Sequence, residues 1–333
     1  ASLRWPTAQQ FTKVSIHHEK RKGGFIADVL SMDVHYLDIH GWSQIQPCVL
    51  KRPNPQDTFL SNMSRALHLY QRETTFYEQW SSRVPVTVPQ YWGTYLGDSV
   101  CMEDLSRQGG VFDWNLEEAP VALSLRIVDD LASMHRTFWS HRSDDEGLPR
   151  PNRFSWMASF VYERFPVFML KWGDKMTTEQ CQRLQRAVVE FEATQERLSQ
   201  GDLTLCHGDA KSANLCFVGP EPRIYFCDWQ YAHWGKGAQD LVFFLIASLP
   251  AGSPYLLPCI QQYYRAMTPH YTWFALCDDC RDAVLFFPLF VAIWFGTLPT
   301  DELIDKTFPA TFIERFLAFL SFENDLSAMS HDL

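Results

Sequence analysis

In the first hundred positions apolar residues alternate or cluster in short runs, and this spacing predicts strands at 26–30, 34–39, 48–51, 91–95 and 99–102. One stretch, 63–80, instead sets Leu67, Tyr70, Phe76, Tyr77 and Trp80 at helical spacing. Strands interrupted by one helix predict a small antiparallel sheet. Past residue 105 the period changes. Leu123, Ile127, Leu131, Met134 and Phe138 form one helical stripe, and Leu184, Val188, Phe191 and Leu198 another, which Thr177 and Gln180 open with the spacing of a capping box. Further helices are predicted over 239–248, 255–267, 283–295 and 302–322. The apolar run 283–295 contains Pro288 and is shorter than the roughly 20 residues a membrane helix needs, so it reads as a buried helix without membrane insertion.

The change of period divides the chain into a β-rich front, 1–102, a connecting hinge, 103–106, and a mainly helical back, 107–333. A length of 333 residues suits two such parts better than one core. Within the helical part a β interruption stands out. Apolar runs at 203–206 and 215–218 precede Gly219-Pro220-Glu221-Pro222, a strong turn signal, and a further run at 223–227. The last two runs predict a hairpin. With Val218 opposite Arg223, the register carries back until Asn214 and Asp228 lie almost opposite each other at its open end, with Asp209 in the loop just before.

That hairpin gathers two carboxylates and an amide, all hard oxygen donors. Magnesium on nucleotide phosphates requires such groups, because it keeps several waters and takes few protein oxygens. A remaining carboxylate, free of metal, can accept a proton from a hydroxyl. In chain order Asp209 would orient and deprotonate the acceptor, while Asn214 and Asp228 would hold metal.

The residues themselves resemble a family. His207-Gly208-Asp209-Ala210-Lys211-Ser212-Ala213-Asn214 looks like the catalytic loop of the aminoglycoside phosphotransferase and choline kinase superfamily, and Cys227-Asp228-Trp229-Gln230 with Gly237 and Asp240-Leu241 looks like its metal-binding segment. Met102-Glu103-Asp104-Leu105 and Leu131-Ala132-Ser133-Met134-His135 are most similar to the ecdysteroid-kinase-like (choline-kinase-like) branch. The resemblance runs from about Gly23 to Asp240. HGD alone is a weak signal, but with Asn five residues after the Asp, a second Asp fourteen beyond and another twelve later the pattern is specific.

The resemblance implies an α+β, bilobal protein-kinase-like fold, with a small antiparallel sheet and one helix in front and a larger helical lobe behind. It implies ATP and Mg2+ as cofactors and a small-molecule hydroxyl as acceptor. It further implies a Lys gripping the α- and β-phosphates and a helical Glu holding it, positions matched by Lys51 and Glu73. The adenine is expected at the hinge, near Glu103 and Leu105. Lys22-Gly23-Gly24-Phe25 is either a phosphate-covering turn or an ordinary one, since the full spaced-glycine pattern is missing. Lys211 departs from the aromatic residue of insect members and resembles the Lys of protein-kinase catalytic loops, which stabilises the transferred phosphoryl group. His207 and Asp240 are expected to brace the loop. His135 reads as a packed helix histidine.

Composition narrows the field. A formal charge of −10 argues against nucleic acid as partner. Nine irregularly spaced Cys suggest reduced thiols in a cytoplasmic protein, and the chain starts without an apolar signal segment or an initiator Met, as a trimmed start would. Protein partners are not indicated. Cys277-Asp278-Asp279-Cys280 has zinc-knuckle spacing but no second pair follows. Two rival functions remain in view, a protein kinase and a catalytically inactive nucleotide-binding scaffold. Against the first, only eleven residues separate Asp228 from Asp240, too few for a long peptide-docking segment, and against the second, no expected side chain has been lost. The aromatic segments 154–172, 263–274 and 286–295 suit either an acceptor cavity or the core.

Overall fold

In a computed structural model of the protein, residues 8–17, 27–56, 59–112, 116, 121–141, 147–149, 155–299 and 305–326 are described; Gly23 and Gly24 lie outside them. The strands are β1 (Ala8–His17), β2 (Ala27–Asp38), β3 (Ser43–Pro53), β4 (Tyr91–Tyr95), β5 (Ser99–Glu103), β6 (Val111–Phe112), β7 (Thr204–Cys206), β8 (Leu215–Val218), β9 (Arg223–Phe226) and β10 (His233–Gly235). The helices of the front half are α1 (Phe59–Ala66), α2 (Leu69–Thr75), α3 (Val121–Thr137) and α4 (Ser155–Trp172). Those that follow are α5 (Thr178–Val189), α6 (Phe191–Arg197), α7 (Ala238–Ser248), α8 (Leu256–Met267), α9 (Trp273–Val284), α10 (Phe287–Thr297) and α11 (Phe308–Leu326). The fold is α+β.

The chain groups into two compact units. The first contains Ala1–Asp113, Asp145–Leu148 and Asn214–Ala232. Its five-stranded antiparallel sheet has the order β1-β2-β3-β5-β4. β1 was not among the predicted strands. β2 joins two predicted pieces into one, because the polar Ser31 between them is buried and its hydroxyl donates to Asp104 at 2.9 Å. Alternation along β3 puts Cys48 and Leu50 against Val34 and Cys101, leaving Val49 and Lys51 to the opposite face.

The single helix expected over 63–80 is broken. Leu67 and Leu69 are both buried, yet two residues apart in one helix they would point in nearly opposite directions. A left-handed residue, His68 (φ 54°), separates α1 from α2 and turns both inward. α2 then runs into a π-turn, Phe76–Trp80, which buries Phe76, Tyr77 and Trp80.

The hairpin β8–β9 has the anticipated register, Val218 opposite Arg223 and Leu215 opposite Phe226, and β6 adds a third strand that the sequence did not signal. By contacts Asn214–Ala232 groups with the N-terminal sheet, although chain order places it among the helices.

The second unit contains Trp114–Asp144, Pro149–Ala213 and His233–Leu333. α7, buried over nearly its whole length, lies in its core, as expected of a helix apolar all round. The Thr177–Gln180 capping box opens α5, and Glu190 divides the predicted stripe into α5 and α6. The run 283–295 is corrected: α9 ends at Val284, and Pro288 occupies the first turn of α10, where a missing N–H costs least. Taken together, Trp273–Thr297 spans 25 residues, and an 18-residue window within it has mean hydropathy 1.5, long and apolar enough for a membrane span. The break at 285–286 divides it, and most of it is buried inside the unit. The aromatic segments are partly core, since Phe168, Tyr263 and Phe290 are buried while Tyr162, Leu170 and Phe274 are exposed. None of the nine Cys forms a disulfide.

Candidate active site

In the first unit β3 delivers Lys51 and α2 delivers Glu73. The Lys51 Nζ lies 2.8 Å from one Glu73 carboxylate oxygen and 2.9 Å from the other. It also donates to Asp228 Oδ1 at 2.7 Å. Burial by itself would lower the ammonium pKa, but the charges of Asp228 and Glu73 prevail and hold it above its ordinary value. Glu73 titrates high because it is buried and has Asp228 as a like-charged neighbour, with Lys51 offsetting part of the rise. Lys51 is therefore cationic.

Asp228 carries left-handed backbone (φ 63°, ψ 65°), a conformation that is costly for a residue with a side chain and that concentrates at functional sites. What holds it there is Trp229, whose part in the site the sequence does not signal. Its indole is wholly buried, stacks on Phe76 with ring centroids 3.7 Å apart and 6° between planes, and donates Nε1–H to the Phe226 carbonyl at 2.9 Å. Phe76 follows Glu73 by about one helical turn, so one stack fixes the helix with Glu73 against the turn with Asp228. The Cys227 N–H donates to the Asn214 carbonyl at 2.9 Å, which sets Asn214 opposite Cys227 and next to Asp228. An amide and a carboxylate thus end adjacent strands, a donor set of hard oxygens that fits magnesium.

Glu103 and Leu105, expected near the adenine, have internal partners. The Glu103 carboxylate accepts from the Gln90 N–H at 3.1 Å and the Gln108 amide at 2.5 Å. Leu105 packs with Cys216 and Tyr225, and its carbonyl accepts the Gly110 N–H at 3.0 Å. Between them Asp104 is buried and accepts from Ser31 and Ser106, a role the sequence did not suggest.

In the second unit the loop after β7 carries Asp209. Gly208 has φ 83°, a left-handed turn that a side chain would strain. Asp209 is largely buried and pairs through Oδ2 with the Lys211 ammonium at 2.9 Å, while its N–H donates to His207 Nδ1 at 3.2 Å. Asp240 ties the loop down: its two oxygens take the His207 N–H at 2.6 Å and the Gly208 N–H at 2.8 Å. Burial pushes its carboxyl up, but the hydrogen bond from His135 and the neighbouring histidines outweigh this and hold it below the usual range.

His135 is packed in the core, but not as an apolar filler: Nε2 lies 3.2 Å from Asp240 Oδ2 and Nδ1 2.8 Å from the Tyr263 hydroxyl. His135, Cys206 and Asp240 are also close enough to share a metal ion. The chemistry opposes that use, since burial holds the Cys206 thiol protonated and Asp240 is already committed to two amides. Cys277 and Cys280 are buried on α9, with the Cys280 thiol pushed well up by burial, which leaves the zinc-knuckle spacing without ligand character.

Residues 40–276 match the family model described as the phosphotransferase enzyme family. Among solved structures the chain is similar to an ethanolamine kinase of Plasmodium vivax, at 13% identity and TM-score 0.54, covering 94% of this chain and 83% of that one. It is similar to the choline kinase LicA of Streptococcus pneumoniae, at 11% identity and TM-score 0.53, covering 94% and 95%. An aminoglycoside phosphotransferase of Alicyclobacillus acidocaldarius matches at 14% identity and TM-score 0.50, covering 97% and 94%. At these identities the likeness is one of fold. No curated protein matches the sequence.

Proposed function

Because the chain belongs to the phosphotransferase enzyme family, we propose that it transfers the γ-phosphoryl group of ATP to a hydroxyl of a small molecule. The observation that carries this reading is the Lys51 ammonium, held at once by Glu73 and Asp228, the three coming from distant stretches of sequence. A fixed, nearly buried cation beside a carboxylate of the metal-binding type is the equipment for neutralising nucleotide phosphates.

In this reading Lys51 binds the α- and β-phosphates and Glu73 keeps its flexible stem in place. Asn214 and Asp228 would hold magnesium, which when bound supplies charge neutralisation to the phosphates. The backbone of 103–105 is the adenine contact. Asp209 orients the acceptor hydroxyl and takes its proton. Lys211, paired with Asp209, offers positive charge to the phosphoryl group in flight.

The test is ADP and phospho-product formation from ATP and Mg2+ over a panel of amino alcohols, sugars, sterols and aminoglycosides. Ethanolamine and choline come first, as the acceptors named for two of the structural neighbours. Asp209→Ala is expected to lower turnover about 1000-fold with ATP affinity kept, the worth of a general base. No ADP above background from the unaltered protein across the panel would end the proposal.

A further inference from the structure

We infer that β1 carries a homodimer interface: two copies of this chain pair their β1 strands antiparallel, about a two-fold axis that passes between Ser15 of one copy and Ser15 of the other, and so join their sheets edge to edge. The inference concerns self-association and is independent of the phosphotransfer reading.

The sheet of the first unit has two edges, and they are built differently. β4, at one end of the strand order, is five residues long and shifts register beside Gly93. Short strands and bulges are how natural edges avoid pairing. β1, at the other end, is ten residues long, and among the described residues no strand lies on its outer side. Its register against β2 shifts between Ala8 and Gln10 and again between Phe11 and Lys13, but from Lys13 to His17 the pairing is regular. That run contains neither Pro nor Gly. Val14 lies opposite Val34 and Ile16 opposite Met32, so both stand on the face of the sheet that holds Cys48 and Cys101. Val14 and Ile16 are 54% and 49% exposed, whereas Val34 beside them is at 3%. An apolar cluster that is closed over β2 and β3 thus lies open along its edge strand, which is the arrangement that takes up a further strand.

The occupant follows from the registers this run permits. A two-fold axis perpendicular to a sheet keeps every side chain on its own face, and residues directly opposite share a face, so the axis must fall on a residue and not between two. Centred on Lys13, it sets two ammonium groups against each other. Centred on Val14, it draws Thr12, at the register shift, into the pairing, and centred on Ile16 it leaves Lys13 and Val14 unmatched within the run. Centred on Ser15, it uses all of Lys13–His17: Val14 meets Ile16 of the second copy on one face, and Lys13 meets His17 of the second copy on the other. The first match is a pair of β-branched side chains, made twice. In the second, Lys13 is exposed and has no ion pair among the described residues, while His17 Nε2 lies 2.8 Å from the carboxylate of Asp33, whose other cation, Arg107, is 3.9 Å away. The second copy therefore brings an acidic group to each Lys13. Apolar match and charge match fall in the same register, and both are complementary to the run itself, which is what a second copy of this chain supplies.

The experiment is sedimentation velocity on the full chain between about 1 and about 200 μM, with the variants Ser15→Lys and Ser15→Glu. The parent is expected to pass from monomer to dimer with Kd on the order of 10 μM, since one short strand pair is a contact below standard size. Within the monomer Ser15 makes only a long contact to His35 Nε2, 3.3 Å, so replacing it costs the fold little. Each variant alone sets like charges across the axis and should weaken dimerisation about fivefold or more, while an equimolar mixture of the two should recover it to the parent level or beyond. Amide hydrogen exchange in the parent should slow at residues 13–17 as concentration rises, with residues 91–95 of β4, the opposite edge, unchanged. A parent that stays monomeric up to about 200 μM overturns the inference and leaves the edge to a strand of another protein or to none. A dimer that neither substitution weakens, or a mixture no better than its components, puts the contact elsewhere and overturns it as well. If one Ser15 variant does not fold, the other variant and the exchange contrast decide, and residues 13–17 slowing no more than β4 counts against it.

Discussion

In the first unit Lys51, Glu73 and Asp228 hold one another by charge, and the Asp228 side chain remains about one-third exposed. In the second, Asp209 sits on a loop held by backbone amides that point at a carboxylate, Asp240, sealed from solvent with His135 and Tyr263 behind it. The first arrangement suits groups that must exchange partners, because an ammonium between two carboxylates can give one of them to an arriving phosphate or metal. The second suits a group that must not move, since each bond in it is directional and costly to leave unmade. Under the proposed function, ion pairs stand where ligands compete and hydrogen bonds where geometry is fixed.

The contrast can be broken from either side. The largest effect is expected from Lys51→Met, which removes the cation and leaves two carboxylates facing each other. Turnover should drop about 100-fold or more, with weakened ATP binding, while the melting temperature changes far less. A variant that kept normal kcat and ATP affinity would remove Lys51 from the site. Asp240→Asn should act in the opposite way, costing about 3 kcal/mol of stability at pH 7 because buried donors lose a charged acceptor.

That second loss has a pH signature. The folded-state pKa of Asp240 is depressed, so its contribution is present in full above the ordinary carboxylate range and disappears as pH falls through and below that range. Denaturant titrations should therefore show the gap between parent and Asp240→Asn closing below about pH 4. A gap that stayed constant into acid would mean that the carboxylate charge is not what braces the loop.

The smallest effect isolates backbone strain. Asp228→Ala and Asp228→Gly both remove the carboxylate, but Ala keeps the penalty of left-handed backbone and Gly does not. The Gly variant should be more stable by about 1 kcal/mol, with neither active. Equal stabilities would show that the turn relaxes once the side chain is gone.

Much of this was legible before any coordinates. The Gly219-Pro220 turn and its flanking apolar runs were enough for the hairpin and its register, because a strand with one buried face tolerates no slip. Lys51 and Glu73 were found through family spacing, and in the fold their side chains meet. The helix expected over 63–80 is two helices instead, since periodicity reports buried positions but not a backbone kink that serves two of them at once. The break between α9 and α10, which falls inside the helix expected over 283–295, turns on Pro288, whose place in a first turn composition does not reveal. The parts of Trp229 and His135 are not legible in the sequence for a shared reason: their partners, Phe76 and Asp240, lie 153 and 105 residues away.

The sequence by itself determined the chemistry on offer: the HGD loop with its Asn and later acids, the Lys and Glu ahead of them, and the period change from strands to helices. These are carried by residue identity and short spacing, which chain order preserves. Tertiary structure alone decided which neighbours each group has. It stacked Trp229 on Phe76 to hold Asp228 in left-handed backbone, and it set His135 against Asp240 inside the second unit. Contacts between residues far apart in the chain are chosen by packing and burial, and no local pattern encodes them.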